Sequence, residues 1–270
     1  MPELPEVEIT RLGIQAHIEG QILEKIVIRE SRLRWPVPST LKKLKNITIL
    51  KVSRRAKYIF IITNQGTIII HLGMSGRLSI LKSNVPSKKH DHIDFIFKNK
   101  TVIRYTDPRR FGAVLWTTEN PEQHPLLAKL GPEPLSKKFT AKYLYQKTQK
   151  KLIMIKQLIM NQEIVVGIGN IYANEALFTA RLSPTRKCNS LTEVECERLV
   201  DELQSVLKKA IQQGGTTLRD FLTPEGKLGY FVQQLLVYGR EGEDCVQCKN
   251  ILISQRINQR STVYCKTCQN

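Results

Sequence analysis

The first residues of the chain, Met-Pro-Glu-Leu-Pro-Glu, contain groups that could act together as a nucleophile and a general acid or base. Removal of the initiator Met, which a small second residue favours, would leave Pro2 as a secondary amine at the N-terminus. An α-amino group titrates at about 7.7–8.0, so a useful fraction is unprotonated near pH 7. Such an amine can form a Schiff base, and Glu3 beside it can transfer protons. The alternative is an ordinary second residue followed by a proline, Pro5, that only opens a helix.

Four cysteines near the C-terminus have the spacing of a metal site. They form two Cys-x-x-Cys pairs with a 16-residue spacer between them: Cys245, Cys248, Cys265 and Cys268. This spacing predicts a closed tetrahedral site in which four thiolates bind one zinc ion, and the ion is then structural because no ligand position stays open. A module of about 30 residues needs such a ligand in order to fold. Cys188 and Cys196 are isolated and are predicted to be plain thiols.

Three further stretches carry the residue types of an anion site and of a nucleic-acid interface. Glycines in the stretch 165–170 free backbone amides at a predicted helix start, where Asn170 adds a side-chain amide. The stretch 104–112 displays arginines together with Phe111, which suits stacking and insertion into a duplex. Between two glycines, Met74 is exposed in the same manner. The ordinary alternative for the stretch 165–170 is a tight turn, and the alternative for Phe111 and Met74 is that both are core side chains.

The charge of the chain is strongly positive. Lys and Arg number 42 against 24 Asp and Glu in 270 residues, which gives a formal charge of +18 and a pI near 9.7. Phosphate neutralisation by such cations predicts a nucleic-acid partner, with an unspecific basic surface as the alternative. No run reaches the roughly 18–20 apolar residues of a membrane span, and no signal peptide begins the chain. We therefore expect a cytoplasmic protein without a membrane partner.

Strand and helix patterns occupy different parts of the chain. Pro5 and Gly20 bound a predicted helix over 5–19. Short β-branched runs with polar turns then predict an antiparallel sandwich or barrel, with strands at 22–29, 47–52, 58–63, 67–71, 92–97 and 101–105. Helical periodicity follows and predicts helices at 142–160, 171–180 and 192–213, the last with a Thr192–Glu195 capping box. Residues 218–229 are predicted to form an irregular loop.

In combination, these stretches resemble the bacterial formamidopyrimidine-DNA glycosylase family over essentially the whole length. The resemblance rests on motifs in their order: Pro-Glu-Leu-Pro-Glu-Val-Glu, Arg-Arg-Ala-Lys-Tyr, His-Leu-Gly-Met-Ser-Gly, Asp-Pro-Arg-Arg-Phe-Gly, Val-Gly-Ile-Gly-Asn-Ile-Tyr-Ala-Asn-Glu, Gly-Gly-Thr-Thr-Leu-Arg-Asp-Phe, Val-Tyr-Gly-Arg and the four-cysteine finger. It implies an α+β multidomain protein. The implied parts are an N-terminal catalytic β-sandwich flanked by helices (1–120), a linker (121–134), a helix-two-turns-helix domain (135–229) and a zinc β-hairpin finger (236–270).

The resemblance also implies an activity. The family members are bifunctional DNA glycosylases and abasic-site lyases that remove oxidised purines from double-stranded DNA. The resemblance also implies a monomer with one structural zinc ion. Pro2 would attack C1′ of the damaged nucleotide, and Glu3 would donate and accept the protons. Lys57 would be the proton donor associated with β-elimination and Arg260 the proton donor associated with δ-elimination, each cation also lying against a phosphate.

Further residues match the family positions that hold DNA. Those implied to bind it are His71, His90, Arg109, Lys151, Asn170 and Tyr238. Those implied to fill the space left by a flipped lesion are Met74, Arg109 and Phe111. Arg109 would bond the orphaned cytosine, and the 218–229 loop would close over the extruded base. The chain departs from the family pattern at Asn161 and Asn174, where relatives often have Asp; neither is a catalytic position.

Two other readings stay open. The first is an endonuclease VIII-like enzyme for oxidised pyrimidines, against which Phe111 and the Leu4-Pro5 pair speak. The second is a zinc-finger DNA-binding protein without catalysis, for which Pro2 and Glu3 are incidental. Covalent trapping with borohydride on an 8-oxoguanine duplex distinguishes the second from an enzyme, because the Schiff base at C1′ forms only when the damaged base is expelled.

Overall fold

The structure is a computed structural model that describes residues 1–82, 85–216 and 234–270. The described residues form two compact units, one of 1–128 with 213–216 and the other of 129–212 with 234–270. Both strands and helices are present, which confirms the predicted α+β class. Within the described ranges, no helix is long and apolar enough to cross a membrane. The predicted domain boundaries at 120, 134 and 229 stay predictions, and the predicted 218–229 loop lies outside the described residues.

The first unit is built on eight antiparallel strands. They are β1 (Ile22–Ile28), β2 (Ile47–Arg55), β3 (Tyr58–Thr63), β4 (Thr67–His71), β5 (Arg77–Lys82), β6 (Asp91–Phe97), β7 (Thr101–Thr106) and β8 (Ala113–Thr117). Their order is β5-β7-β6-β1-β2-β3-β4-β8, and β1 and β2 meet through two residue pairs near Leu23 and Ile47. The four-strand groups on either side of this junction contribute to one core, from Phe95 in one group to Ile61 in the other. The predicted sandwich is therefore confirmed.

Six strands lie where the sequence predicts them, whereas β5 and β8 are additional. β5 buries one residue, Leu78, so it lacks the strong alternation of its neighbours. β8 is an edge strand that pairs with β4, and it begins directly after the turn at Gly112. Both strands acquire their structure from long-range pairing, which a local pattern does not reveal.

One helix, α1 (Leu4–Ile18), packs on this unit and positions the N-terminus. Pro5 lies in its first turn, where a missing N–H costs nothing, and Glu6 complements its positive end. Ile14 and Ile18 are fully buried in the sandwich core. Arg54 of β2 bonds Glu8 of α1 at 2.9 Å, so the β2–β3 turn is tied to the helix.

The described part of the second unit contains four α-helices, α2 (Ala141–Thr148), α3 (Ile155–Ile159), α4 (Asn170–Thr179) and α5 (Glu193–Gln212). The prediction of one helix over 142–160 is wrong, because residues 149–154 are not helical. Their carbonyls accept from residues 188 and 189 instead, with Asn189 N to Lys151 O at 3.1 Å and Cys188 N to Ile153 O at 3.0 Å. Helices α4 and α5 agree with prediction, and the capping box is confirmed by the bond from Thr192 N to Glu195 Oε2.

A two-stranded hairpin, β9 (Ile253–Ile257) and β10 (Arg260–Tyr264), completes the second unit. Asn258 and Gln259 form its turn with φ of 50° and 62°, the paired left-handed conformation of a type I′ turn. Buried Leu252 and Val263 pack with the four cysteines into a small separate core. The predicted finger thus has a hairpin fold whose core includes its own sulfur atoms.

Candidate functional site

The proposed nucleophile and proton donor lie at the start of α1. Pro2 is buried, and Glu3 is 2% exposed and occupies the N-cap position of the helix. Glu3 N donates to Glu6 Oε2 at 2.8 Å, which fixes the backbone that precedes the helix. The chain begins with Met1, whose carbonyl makes the Pro2 nitrogen a tertiary amide. An amine at this position therefore requires removal of Met1.

Glu6 was not among the predicted site residues, yet it holds this end of the helix in place. Its Oε1 atom accepts from Thr216 N at 2.9 Å and from Thr216 Oγ1 at 2.8 Å. Glu6 is 2% exposed, so these bonds lie away from water. The Gly-Gly-Thr-Thr motif thus meets the N-terminal motif through one carboxylate. The sequence contains both motifs but gives no sign that they touch.

Lys57 and His71 come together at one end of the sandwich. Lys57 lies in the turn between β2 and β3 and is 8% exposed, while His71 ends β4 opposite Tyr58 of β3. The Tyr58 and His71 rings are 4.8 Å apart between centroids. Gly73 N donates to His71 Nδ1 at 3.1 Å, so a neutral ring carries its hydrogen on Nε2. His71 is consequently suited to donate one neutral hydrogen bond.

The pKa of His71 is lowered from its usual 6.5 to about 4, first by burial and then by the nearby cations of Lys57 and Arg34. As the pH falls below 6.5, His71 becomes protonated in the unfolded chain but stays neutral in the folded chain down to about pH 4. We therefore expect this group to lower the free energy of unfolding by up to about 3 kcal/mol as the pH falls from 6.5 to 4. Urea unfolding of His71→Gln across pH 4–7 should show a flatter profile than the parent. The exposed His17→Gln variant is the control, and an identical slope in all three proteins would contradict the assignment.

The residues predicted to fill the lesion space lie on two adjoining loops. Phe111 is 44% exposed, and the Arg109 guanidinium lies over its ring at 4.8 Å from the centroid. Met74 is partly exposed on the other loop, between buried Gly73 and Gly76. An aromatic ring that is exposed to solvent and stacked with a guanidinium offers a surface on which a nucleic-acid base can stack. The alternative that Phe111 and Met74 are core residues is not what the structure shows.

His90 lies at the end of a cationic loop that a buried ion network holds. Arg104 is 6% exposed and bonds both oxygens of Asp94 at 2.8 and 3.0 Å. The same guanidinium donates to Val85 O and Pro86 O, each at 2.9 Å. Because its donors reach backbone carbonyls of the loop, Arg104 fixes the path of residues 85–90. The sequence predicted Arg104 only as part of a basic stretch, whereas the structure makes it a buried anchor.

In the second unit, Asn170 is held by a fully buried lysine. Lys156 Nζ donates to Asn170 Oδ1 and to Thr262 Oγ1, each at 2.7 Å, and the lysine is 1% exposed. Asn170 Nδ2 donates in turn to Ser261 O at 2.9 Å. The start of α4 and strand β10 are thereby joined through side chains. The burial of Lys156 could not be predicted from the spacing of residues in the sequence, because it depends on contacts with the distant strand β10.

Tyr238 is positioned by Glu175, another residue that the sequence did not single out. The Glu175 carboxylate accepts from Leu236 N, Val237 N and Tyr238 N at 2.8–3.0 Å, and it is 2% exposed. Burial raises the pKa of Glu175, while the three N–H donors act in the opposite direction. The Glu175 carboxylate therefore attaches the segment before the finger to α4. Lys151 lies in the exposed break between α2 and α3.

Arg260 begins β10 at the end of the type I′ turn, and its side chain is exposed. It lines a small cavity of about 60 Å³ together with Lys156, Met160 and Asn258. The turn thus holds a guanidinium out on a rigid hairpin next to the buried Lys156. Arg256, on β9, is exposed as well.

The four cysteines of the finger form a compact cluster. Their sulfur atoms all lie within 4.8 Å of one another, with Cys245–Cys268 at 3.9 Å and Cys248–Cys265 at 3.4 Å. Tetrahedral zinc with bonds of about 2.3 Å needs sulfur atoms about 3.8 Å apart, so these thiols fit one zinc ion. All four protein ligands are thiols, which confirms the predicted structural zinc site.

The remaining features singled out in the sequence are two isolated cysteines and the two departures from the family pattern. Burial raises the pKa of Cys188 and of Cys196 to about 11, so both stay protonated and unreactive near pH 7. Asn161 Oδ1 accepts from Glu163 N in a turn. The Asn174 amide is buried, and neither of its polar atoms has a hydrogen-bond partner among the residues that the structure describes. We find no structural reason for Asn at position 174.

The sequence and the fold were compared with those of known proteins, and the matches belong to one protein family. Three family models match: the formamidopyrimidine-DNA glycosylase N-terminal domain over 1–114, its H2TH domain over 130–222, and the zinc finger found in FPG and IleRS over 242–270. A formamidopyrimidine-DNA glycosylase of Hydrogenovibrio crunogenus is 54% identical over all of this chain and 96% of that protein. Two solved complexes of Lactococcus lactis Fpg are 33% identical and cover 99% of each chain. One holds DNA with an abasic site (TM-score 0.91), and the other is a G226P variant with DNA containing Fapy-dG (TM-score 0.92).

Proposed function

Since the chain belongs to the formamidopyrimidine-DNA glycosylase family of DNA-repair enzymes, we propose that it removes oxidised purines from duplex DNA and then cleaves the strand. The proposed substrates are 8-oxoguanine and formamidopyrimidines paired with cytosine. The single observation that carries the proposal is the buried Pro2–Glu3 pair at the start of α1, held by Glu6. Nothing in an ordinary helix start requires a buried carboxylate next to a potential N-terminal amine.

In the proposed mechanism, the free amine of Pro2 attacks C1′ of the damaged nucleotide. The bond between C1′ and the base breaks, and the base leaves with its electron pair and takes up a proton. Glu3 protonates the sugar ring oxygen as the ring opens, which produces an iminium between Pro2 and C1′. The positive end of α1 disfavours the protonated amine and so helps to keep the nucleophile active.

Strand cleavage follows from the acidity of the iminium. Loss of the C2′ proton breaks the C3′–O bond in β-elimination, and loss of the C4′ proton then breaks the C5′–O bond in δ-elimination. Lys57 and Arg260 are proposed to assist the two steps as cations beside the leaving phosphates. Water then hydrolyses the iminium and restores Pro2. Burial of Lys57 strengthens its interaction with a phosphate because the local dielectric is low.

Binding is proposed to combine phosphate contacts with extrusion of the lesion. The phosphate and backbone contacts are assigned to His71, His90, Lys151, Asn170 and Tyr238. Met74, Arg109 and Phe111 enter the space that the flipped base leaves, and Arg109 bonds the orphaned cytosine. The exposed Phe111 ring with Arg109 stacked on it supports this assignment. The four thiolates hold zinc, which ties the hairpin bearing Arg260 to the second unit's core.

A paired substrate assay tests the proposal. We expect excision of 8-oxoguanine opposite cytosine to exceed excision of thymine glycol by at least about 10-fold, since a pocket that pairs with the wrong base edge loses several hydrogen bonds. The assay uses protein whose N-terminus is confirmed as Pro2 by mass spectrometry, with undamaged duplex as the control. The opposite preference would favour the endonuclease VIII-like alternative. Absence of both activities, with duplex binding intact, would favour the non-catalytic alternative.

A further inference from the structure

Asp107 is a fully buried carboxylate to which the proposed mechanism gives no role. It is 0% exposed and lies between β7 and the loop that carries Arg109 and Phe111. Its Oδ1 atom accepts from Ser75 Oγ at 2.7 Å, and its Oδ2 atom accepts from Gly112 N at 2.9 Å. A buried charge is costly unless it is hydrogen-bonded, so these contacts indicate a specific purpose.

The partners of Asp107 belong to two different loops. Ser75 directly follows Met74, while Gly112 directly follows Phe111. Ser75 Oγ also accepts from Arg109 N at 3.2 Å, so one serine hydroxyl connects the carboxylate to both loops. The contact between Asp107 and Ser75 spans 32 positions of the sequence. All three residues proposed to fill the lesion space are therefore neighbours of one hydrogen-bonded centre.

The backbones of the two loops are in direct contact, which leaves them little freedom to adjust. A Cβ at Gly73, where φ is 65°, would lie 2.4 Å from the Phe111 carbonyl carbon. A Cβ at Gly112 would lie 1.9 Å from Tyr105 Oη. Two glycines thus permit the close approach that the Asp107 bonds require.

Tyr105 completes the centre as a hydrogen-bond donor. Its hydroxyl donates to Asp107 Oδ2 at 3.1 Å, and its ring is fully buried. Burial and the adjacent carboxylate raise the pKa of Tyr105 well above its usual range, so the phenol keeps its proton. The Asp107 backbone reaches the cationic loop as well, because its N–H donates to His90 O at 3.1 Å.

We propose that Asp107, acting through Ser75, is a positioning residue that sets the placement of Met74, Arg109 and Phe111 in the duplex and thereby the preference for cytosine opposite the lesion. The proposal rests on the proposed function. Arg109 can distinguish the opposite base only if its guanidinium is held to within about 1 Å, and a misplacement of that size is worth up to roughly 10²-fold in rate. Asp107 does not touch the reacting atoms and is not itself catalytic.

The test is Ser75→Ala, with Ser79→Ala on β5 as the matched control. Ser79 lies four positions along the chain and has no side-chain bond to either loop among the described residues. We expect Ser75→Ala to slow single-turnover excision of 8-oxoguanine opposite cytosine by about 10-fold and to bring the rates opposite cytosine and adenine closer together. Borohydride trapping at a preformed abasic site should stay within about twofold of the parent, since Pro2 and Glu3 are unaltered.

Asp107→Asn provides a second variant of the same shape without the charge. It should show the same loss of base preference, provided that its circular dichroism matches the parent. Parent-like excision and base preference in Ser75→Ala would overturn the inference, as would an equal loss at the abasic site. If the parent protein itself fails to excise 8-oxoguanine, the proposed function fails first, and this result is distinguishable because the Ser79→Ala control fails with it.

Discussion

Replacement of Pro2 by Gly is expected to lower the yield of borohydride-trapped protein–DNA adduct by roughly 10²-fold. This is the size of effect expected when a positioned catalytic group is lost. A secondary amine gives an iminium that carries its charge without an added proton, whereas a glycine imine must be protonated before it reacts further. Glycine also loosens the backbone before α1, and that misplaces the amine relative to Glu3. The measurement is trapping on an 8-oxoguanine:cytosine duplex after the N-terminus has been checked by mass spectrometry.

Duplex binding provides the internal control for this variant. Affinity for DNA with a reduced abasic analogue should change little, because no phosphate contact is assigned to Pro2. A protein that keeps Met1 is the second control, since its tertiary amide cannot form an iminium and should give no adduct at all. Equal loss of binding and trapping in Pro2→Gly would show that Pro2 has a structural role. Parent-level trapping in the protein that keeps Met1 would place the nucleophile elsewhere.

The parts of the site that could be predicted from the sequence are those fixed by short spacing. Two Cys-x-x-Cys pairs specify tetrahedral ligands whatever surrounds them, so the zinc site followed directly. Pro2 and Glu3 are adjacent, and Pro5 places a helix start behind them. The hairpins of the sandwich are likewise local, with the turn at Gly66 between β3 and β4 as an example.

The parts that could not be predicted depend on contacts between distant residues. The 149–154 break in the expected helix arises from backbone bonds to residues 188 and 189, which override a good helical pattern. Glu175 holds Tyr238 across 63 positions, and Asp107 holds Ser75 across 32. Each of these two carboxylates is buried and accepts from a distant segment, Glu175 from a backbone N–H and Asp107 from a serine hydroxyl. Spacing identifies the groups that react, whereas the groups that orient them become visible only in the fold.

Removal of zinc is expected to unfold the 236–270 finger and to weaken binding to the lesion duplex by roughly 10²-fold, because zinc binding supplies about 10–16 kcal/mol of folding free energy in comparable fingers. The finger's core is small and includes the sulfur atoms themselves, so few apolar contacts remain without the ion. Loss of the hairpin removes the proposed Arg260 contact with the duplex and frees Lys156 from Thr262. Binding should be measured by fluorescence anisotropy at several salt concentrations, where fewer phosphate contacts give a shallower dependence.

The salt dependence separates a lost DNA contact from general unfolding of the enzyme. Cys248→Ser should reproduce the effect of the chelator, whereas Cys188→Ala, outside the cluster, should retain one zinc ion per chain and full affinity. Thermal unfolding should show the sandwich transition unchanged in Cys248→Ser, since the core of the first unit contains none of the four zinc ligands. Adding zinc back to the chelated protein should restore its affinity for the duplex. Unchanged affinity of the zinc-free protein, with ion loss verified by metal analysis, would mean that the finger does not contribute to DNA binding.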